Sequence, residues 1–274
     1  MKDKFILNKE ENEIFVKRPI KKERIIVVAA VYVAVMFFIA SFITMGIALV
    51  LSLLYNADFT EVFYSFQSIE EFIDNGNITI LKINSISQGL GNMIGYLLVF
   101  IIAIITLNNV FVDDFKQLIN DKKSFYKWFI PVSAILFIGL TLLIDFLIGL
   151  IAPSSSNQQT IEIIMLYGGK IPMIIAVVLF APVVEEIVYR KILFTALKSH
   201  KKYVAYIVSI FCFALPHMIS TPMDNVGIFI LQCIPYAFSG FLLALIYDYS
   251  GENIYASIAA HMLNNLLACI LIFV

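Results

Sequence analysis

The sequence predicts an all-α protein, a polytopic transmembrane helical bundle of about seven membrane helices with room for an eighth. Three observations carry this. Hydrophobic residues make up 61% of the 274 positions and charged ones 14%, where a soluble domain has about a quarter charged. Apolar stretches of about 20 residues, the length that spans a bilayer as a helix, recur along almost the whole chain. The charges are sorted by loop, so the net charge of -1 says nothing about partners. No basic stripe or nucleic-acid motif is present, and the bilayer is the one partner that composition implies.

Spanning segments are read at about 25–55, 89–111, 128–152, 171–197, 203–219, 226–247 and 253–274. The first is long enough to tilt strongly or protrude, yet too short for two spans and a turn. The fifth is the shortest and carries Pro216. Lys and Arg counts orient the chain. The tail to Arg24 carries eight, the loop 56–88 only Lys82, the loop 112–127 four, 153–170 only Lys170, 198–202 three, and 220–225 none. This alternation predicts the N-terminus inside and the C-terminus outside. It gives a basic cytoplasmic tail at 1–24 and three N-terminal spans within 25–169, with an extracytoplasmic loop at about 56–88 that has room for a short amphipathic helix. The stretch 152–159 reads as a polar loop. The first apolar run follows a long charged stretch and is about twice the length of a signal-peptide core, so no cleaved signal is expected.

Polar residues within spans concentrate in the last hundred or so positions. Intramembrane ionisable groups are costly and mark function by default. The stretch APVVEEIVYR places Glu185 and Glu186 in the middle of an apolar run, with Arg190 one turn on. Glu186 and Arg190 stand at i,i+4 and can pair, which leaves Glu185, rotated by about 100°, unclaimed by that pair. Such a carboxylate suits a general base or acid. The alternative is a purely structural ion-pair cluster. His217 on the fifth span, and His261 with Asn265 at i,i+4 on the seventh, add two imidazoles and a carboxamide. Each alone is more often an interhelical hydrogen-bonding group. Counted from the inner loops at 1.5 Å per residue, however, Glu185 and His217 lie ~20 and ~21 Å deep and His261 ~12 Å, so three helices bring them to broadly similar depth. A glutamate with an imidazole can deprotonate water, and a second imidazole with a carboxamide N–H can serve an oxyanion. Asp145, alone in mid-span, receives no role.

Cys212, Cys233 and Cys269 lie in apolar segments without metal-ligand spacing and read as small hydrophobes. Glu185, His217 and His261 also form a conceivable metal set, although no H-E-x-x-H is present.

The three motifs EEIVYR (185–190), FALPH (213–217) and HMLNN (261–265) resemble EExxxR, FxxxH and HxxxN of the CPBP family of intramembrane glutamic endopeptidases. That family comprises CAAX prenyl proteases and bacteriocin-processing or Abi-type proteins. The resemblance covers about 170–274, which it implies to be the catalytic membrane domain. It implies that Glu185 with His217 activates water, that His261 and Asn265 form the oxyanion site, and that Glu186 and Arg190 support the site's geometry and charge. It also implies no cofactor, no catalytic metal, and a cavity open towards the cytoplasmic side. Two features depart from the pattern: Lys191 stands where many members have glycine, and Pro216 directly precedes His217.

The leading expectation is therefore a metal-independent endopeptidase acting on a membrane-associated protein or peptide, in a bacterial cell membrane. A non-proteolytic immunity or scaffold protein of the same family is the alternative. A proton-coupled transporter is a third class, disfavoured by the lack of an inverted repeat. Substrate-binding residues and oligomeric state are not legible.

Overall fold

A computed structural model describes residues 17–121 and 125–274. Lys122, Lys123 and the first sixteen residues of the predicted basic tail lie outside that range. Eleven helices and no strand occur among the described residues: α1 (Lys22–Tyr55), α2 (Phe59–Ser65), α3 (Ile69–Asp74), α4 (Ile78–Thr106), α5 (Asn108–Ile119), α6 (Phe125–Gly149), α7 (Ser156–Leu166), α8 (Lys170–Lys198), α9 (Lys202–Met218), α10 (Val226–Tyr249) and α11 (Ile254–Leu271). Six of them, α1, α4, α6, α8, α10 and α11, are long and apolar enough to cross a membrane, and α9 is a shorter apolar helix. This is the polytopic helical bundle that the sequence predicts. No eighth helix of spanning length occurs among the described residues.

Several boundaries differ from the sequence reading. The second span begins at Ile78, not 89, so the predicted loop 56–88 is shorter and holds two small helices, α2 and α3. Lys82, Asn84, Ser85, Ser87 and Gln88 mask that first stretch in any hydropathy window. The structure buries Asn84, Ser85 and Ser87 completely, on the face turned inward. The segment 153–170, read as a loop, contains α7, and 112–127, also read as a loop, holds all but the first turn of α5. Helix starts have local causes. Asp58 accepts from Thr60 N–H at 2.8 Å, Ser155 from Gln158 N–H at 3.3 Å, and Asn225 from Gly227 N–H at 3.0 Å, each satisfying donors that a helix start leaves orphaned. α1 ends at Asn56, which takes the left-handed conformation with φ 49°.

The outward faces are apolar, with Phe42, Leu53, Ile135 and Phe211 all strongly exposed, as a lipid-facing surface requires. Helices therefore meet through small residues. Gly91 and Gly95 on α4 face Ala40 and Thr44 on α1. A Cβ at Gly91 would fall on the Thr44 hydroxyl, and one at Gly95 would stand 3.1 Å from Ala40 Cβ, the close small-residue approach common between membrane helices. α8 is the central helix. Within its apolar window 56% of residues are buried, against 17–39% in the other spans.

The two ends of the bundle differ in charge. At one end the chain before α1, α5, and the α8–α9 and α10–α11 turns are knitted together by ions. Arg18 pairs with Asp113 at 2.6 Å, Lys198 with Asp248 and Glu252 at 2.6 Å each, and Lys202 with Asp248 at 2.8 Å. Asp114, fully buried, holds Lys17 at 2.8 Å and Lys191 at 3.0 Å and accepts from Ile254 N–H at 2.9 Å. Lys191, the departure from the family pattern, is thus a buried anchor between α8 and α5. At the opposite end lie α2, α3, the α6–α7 connection and the end of α11.

Candidate active site

The site is built on α8, whose local geometry is irregular for a reason visible in its sequence. Two stretches, Ile175–Phe180 and Glu186–Phe194, are wound as π-helix, a form that recurs at functional sites. Between them stands Pro182. The Ala181 N–H bonds the Ala176 carbonyl, and Pro182 has no N–H to offer. The Val177 carbonyl therefore lacks a ladder donor, and Asn265 Nδ2 on α11 fills the gap at 2.8 Å. An orphan carbonyl at this depth would cost several kcal/mol, of order, so Asn265 docks α11 onto α8 and keeps one amide N–H unspent.

Glu186 and Arg190 are both fully buried, with Arg190 Nε 3.2 Å from Glu186 Oε2. The contact is close in charge but off hydrogen-bond alignment. The guanidinium is also held by the Gly240 carbonyl at 3.3 Å and by the Phe213 ring, 4.7 Å from Cζ to centroid. Gly240 has to be small, since a Cβ there would touch Phe213 at 3.0 Å. Phe213 therefore does more than space His217 along α9. It covers the buried cation and packs on the rings of His217 at 5.3 Å and His261 at 5.8 Å.

Glu186 also receives His261, Nδ1 to Oε1 at 3.1 Å, and the other ring nitrogen lies 3.9 Å from Glu185 Oε2. The His261 imidazole thus stands between the two glutamates. Glu185 is not in the Arg190 pair, as the i,i+4 argument predicts, but it is not without a partner. Tyr96 on α4 donates to it at 2.8 Å. His217 lies parallel on Tyr236 of α10, centroids 4.7 Å apart and planes 7° apart. The Tyr236 hydroxyl is fixed by Ser155 at 2.7 Å. α9 continues through Pro216 to Met218, and the two flanking rings, Phe213 and Tyr236, set the plane of the imidazole.

Glu185, His217, His261 and Asn265 all line one cavity of about 810 Å³, within the range of ligand-binding clefts. Glu186 and Arg190 lie behind the wall. Asp145, given no role from sequence, is on the cavity lining, as are Tyr96, Gln88, Asn92 and Asn264. No set of three His, Cys, Asp or Glu side chains is arranged as a metal cage among the described residues, and Cys212, Cys233 and Cys269 are free thiols.

Tyr96 is the residue that reading the C-terminal motifs missed. A signal existed: Asn84, Gln88, Asn92 and Tyr96 recur every four residues along α4. They form one polar stripe, in which Asn84 bonds Gln88 at 2.6 Å and Asn92 bonds the Gln88 carbonyl at 2.9 Å.

Residues 167–267, which contain all three motifs, match the family model described as type II CAAX prenyl endopeptidase Rce1-like. This segment is similar to the Rce1-like family. Its assignment agrees with the resemblance carried by EEIVYR, FALPH and HMLNN. Among curated proteins, the UPF0177 protein YvdC of Lactococcus lactis is 26% identical over 64% of this chain and 65% of its own length. A protein of Mycoplasma capricolum described as uncharacterized is 30% identical over 64% of this chain and 52% of its own length. The chain thus spans between half and two thirds of the relatives it matches. No solved structure matches it. The Rce1-like family is a protease family, and the long apolar helices make this an integral membrane protein.

Proposed function

We propose that the cavity hydrolyses a peptide bond in a membrane-associated protein or peptide, with water as the nucleophile. The observation that carries this is the separation of two neighbouring carboxylates. Glu186 is neutralised by Arg190 and anchored by His261, while Glu185 faces the cavity with a single hydroxyl donor. A water on Glu185, with His217 across the cavity, loses its proton as it attacks the carbonyl carbon. For His261 to serve the oxyanion, its cavity-side ring nitrogen, 3.9 Å from Glu185 Oε2, has to donate while Nδ1 stays on Glu186. The proton nearer Glu185 and the unspent N–H of Asn265 then stabilise the oxyanion, at about 2.7–4 kcal/mol per donor. Collapse of the tetrahedral intermediate returns the proton to the leaving amine.

Tyr96 orients Glu185, and Phe213 and Tyr236 orient His217. On this reading residues 170–274 supply the reacting groups and the N-terminal helices supply the wall that positions them. The test is a comparison of membrane-associated peptides from cells carrying the wild type or Glu185→Ala. Peptides that disappear in the variant, at equal protein level, are the expected result. An unchanged peptide set, together with equal rescue of a deletion phenotype, would overturn hydrolysis in favour of an immunity or scaffold role.

A further inference from the structure

The cavity has a definite direction. Its floor is Glu185 and His261, and its rim is formed by Phe66 and Ile69 of the α2–α3 region, by Pro153 and Ser154, by Ser220 and by Ile272. Every rim segment lies at the same end of the bundle. That end is held together by its own contacts: Gln232 Nε2 donates to the Pro153 and Ser154 carbonyls at 3.1 Å each, and Lys170 Nζ stands 3.5 Å over the Phe273 ring. Among the described residues, none of the chain before α1, of α5, or of the α8–α9 and α10–α11 turns lines the cavity.

Those excluded segments are the basic ones. Lys17, Arg18, Lys21, Lys22 and Arg24 precede or open α1, Lys116 is on α5, and Lys198, Lys201 and Lys202 flank the α8–α9 turn. At the rim end the connecting segments and flanking turns carry Lys82 and Lys170 alone. Lys and Arg in short loops collect on the cytoplasmic side of membrane proteins. The mouth is therefore on the side away from the cytoplasm, opposite to the cytoplasmic opening that the family resemblance implies.

We infer that the cavity takes its occupant from the extracytoplasmic side, and that the occupant is a polypeptide segment presented there. The lining suits a peptide backbone. Gln88, Asn92, Gln158, Gln232 and Asn264 line it, and each carboxamide offers a donor and an acceptor. Asn92 Oδ1 and Asn264 Nδ2 have no protein partner among the described residues. The lining carries no Lys or Arg, which an anionic headgroup would require. The direction of access stands whatever the site does. That the occupant is cleaved rests on the hydrolytic reading above.

The two parts separate experimentally. Ser154→Cys at the rim and Ser199→Cys at the basic end, both exposed positions, are placed in the full chain after Cys212, Cys233 and Cys269 are replaced by serine. Intact bacterial cells are treated with a charged, membrane-impermeant maleimide. Labelling of Ser154→Cys in intact cells, with Ser199→Cys labelled only after permeabilisation, is expected. The reverse pattern overturns the direction. Asp224→Cys and His200→Cys, also exposed on the same two ends, form a second pair should either first variant fail to accumulate. In the peptide comparison, cleavage sites should fall in exported or outward-facing segments. Sites confined to cytoplasmic segments would overturn the peptide assignment while leaving the labelling result intact.

Discussion

Two groups of buried charge meet α8, one at mid-helix around Glu185 and one nearer its Lys198 end around Lys191, and they are built differently. At the basic end, Asp114 is surrounded by Lys17, Lys191 and the Ile254 N–H, and it does not line the cavity that Glu185 faces. At the cavity floor, Glu185 keeps one hydroxyl partner and an open side. Both carboxylates are buried. A buried carboxylate whose lone pairs are all claimed holds helices together, whereas one left facing a cavity is available for proton transfer. Burial alone does not distinguish the two; the partner count and the open side do.

That contrast can be broken at either end. The largest effect is expected from Glu185→Ala. Loss of a general base lowers rates by about 10²–10⁴-fold, whereas the melting temperature in detergent should stay near wild type, because no cation depends on Glu185 alone. Asp114→Ala should do the opposite. Removing one member of a buried ion cluster costs about 3–5 kcal/mol, so thermal unfolding in detergent should shift sharply downward. Cleavage per folded molecule should be retained. A variant at Asp114 that lost activity without losing stability would erase the distinction between the two groups.

Tyr96→Phe is the sharper probe of the cavity end. A hydrogen bond to a charged group contributes about 1.5–3 kcal/mol. The rate should therefore fall by roughly 10–150-fold if Tyr96 orients Glu185 during reaction, with the melting temperature little changed. An unaltered rate would show that Tyr96 only fills the wall.

The smallest effect concerns pH at the basic end. Burial, then the neighbouring Lys191, lowers Lys17 to about 8, against the opposing pull of Asp114 and Glu252. Between about pH 8 and the ordinary lysine range, the unfolded chain holds more protons at this site than the folded one, so stability rises with pH through that window. Below it the cost of keeping Lys17 charged is present in full. Lys17→Met should flatten the rise in melting temperature between pH 8 and 10. An identical slope in both proteins would remove Lys17 from the account.

The C-terminal spans were the more legible half. Hydropathy exposed them, and the spacing of Glu186 and Arg190 at four residues was enough to divide the glutamates, because a helix face is a local property. α4 was harder to read. Its first turns carry Lys82, Asn84 and Gln88, which depress hydropathy, and only the packed bundle shows that Asn84 is turned inward to Ser65 at 2.8 Å. Lys191 read only as a departure from the family pattern, and its meaning rests on Asp114, 77 positions away.

The sequence by itself determined the membrane class, the bundle of about seven helices, the three motifs and the pairing of Glu186 with Arg190. All of these follow from composition or from neighbours within one helical turn. Only the tertiary structure decided that His261 stands between two glutamates, that Tyr96 holds Glu185, that Asn265 covers the carbonyl opposite Pro182, and that the cavity opens away from the basic loops. Each of those depends on which face of one helix meets another. Interhelical register in a bilayer is set by close approaches of small residues and by polar partners far apart in the chain, and a one-dimensional pattern does not encode it.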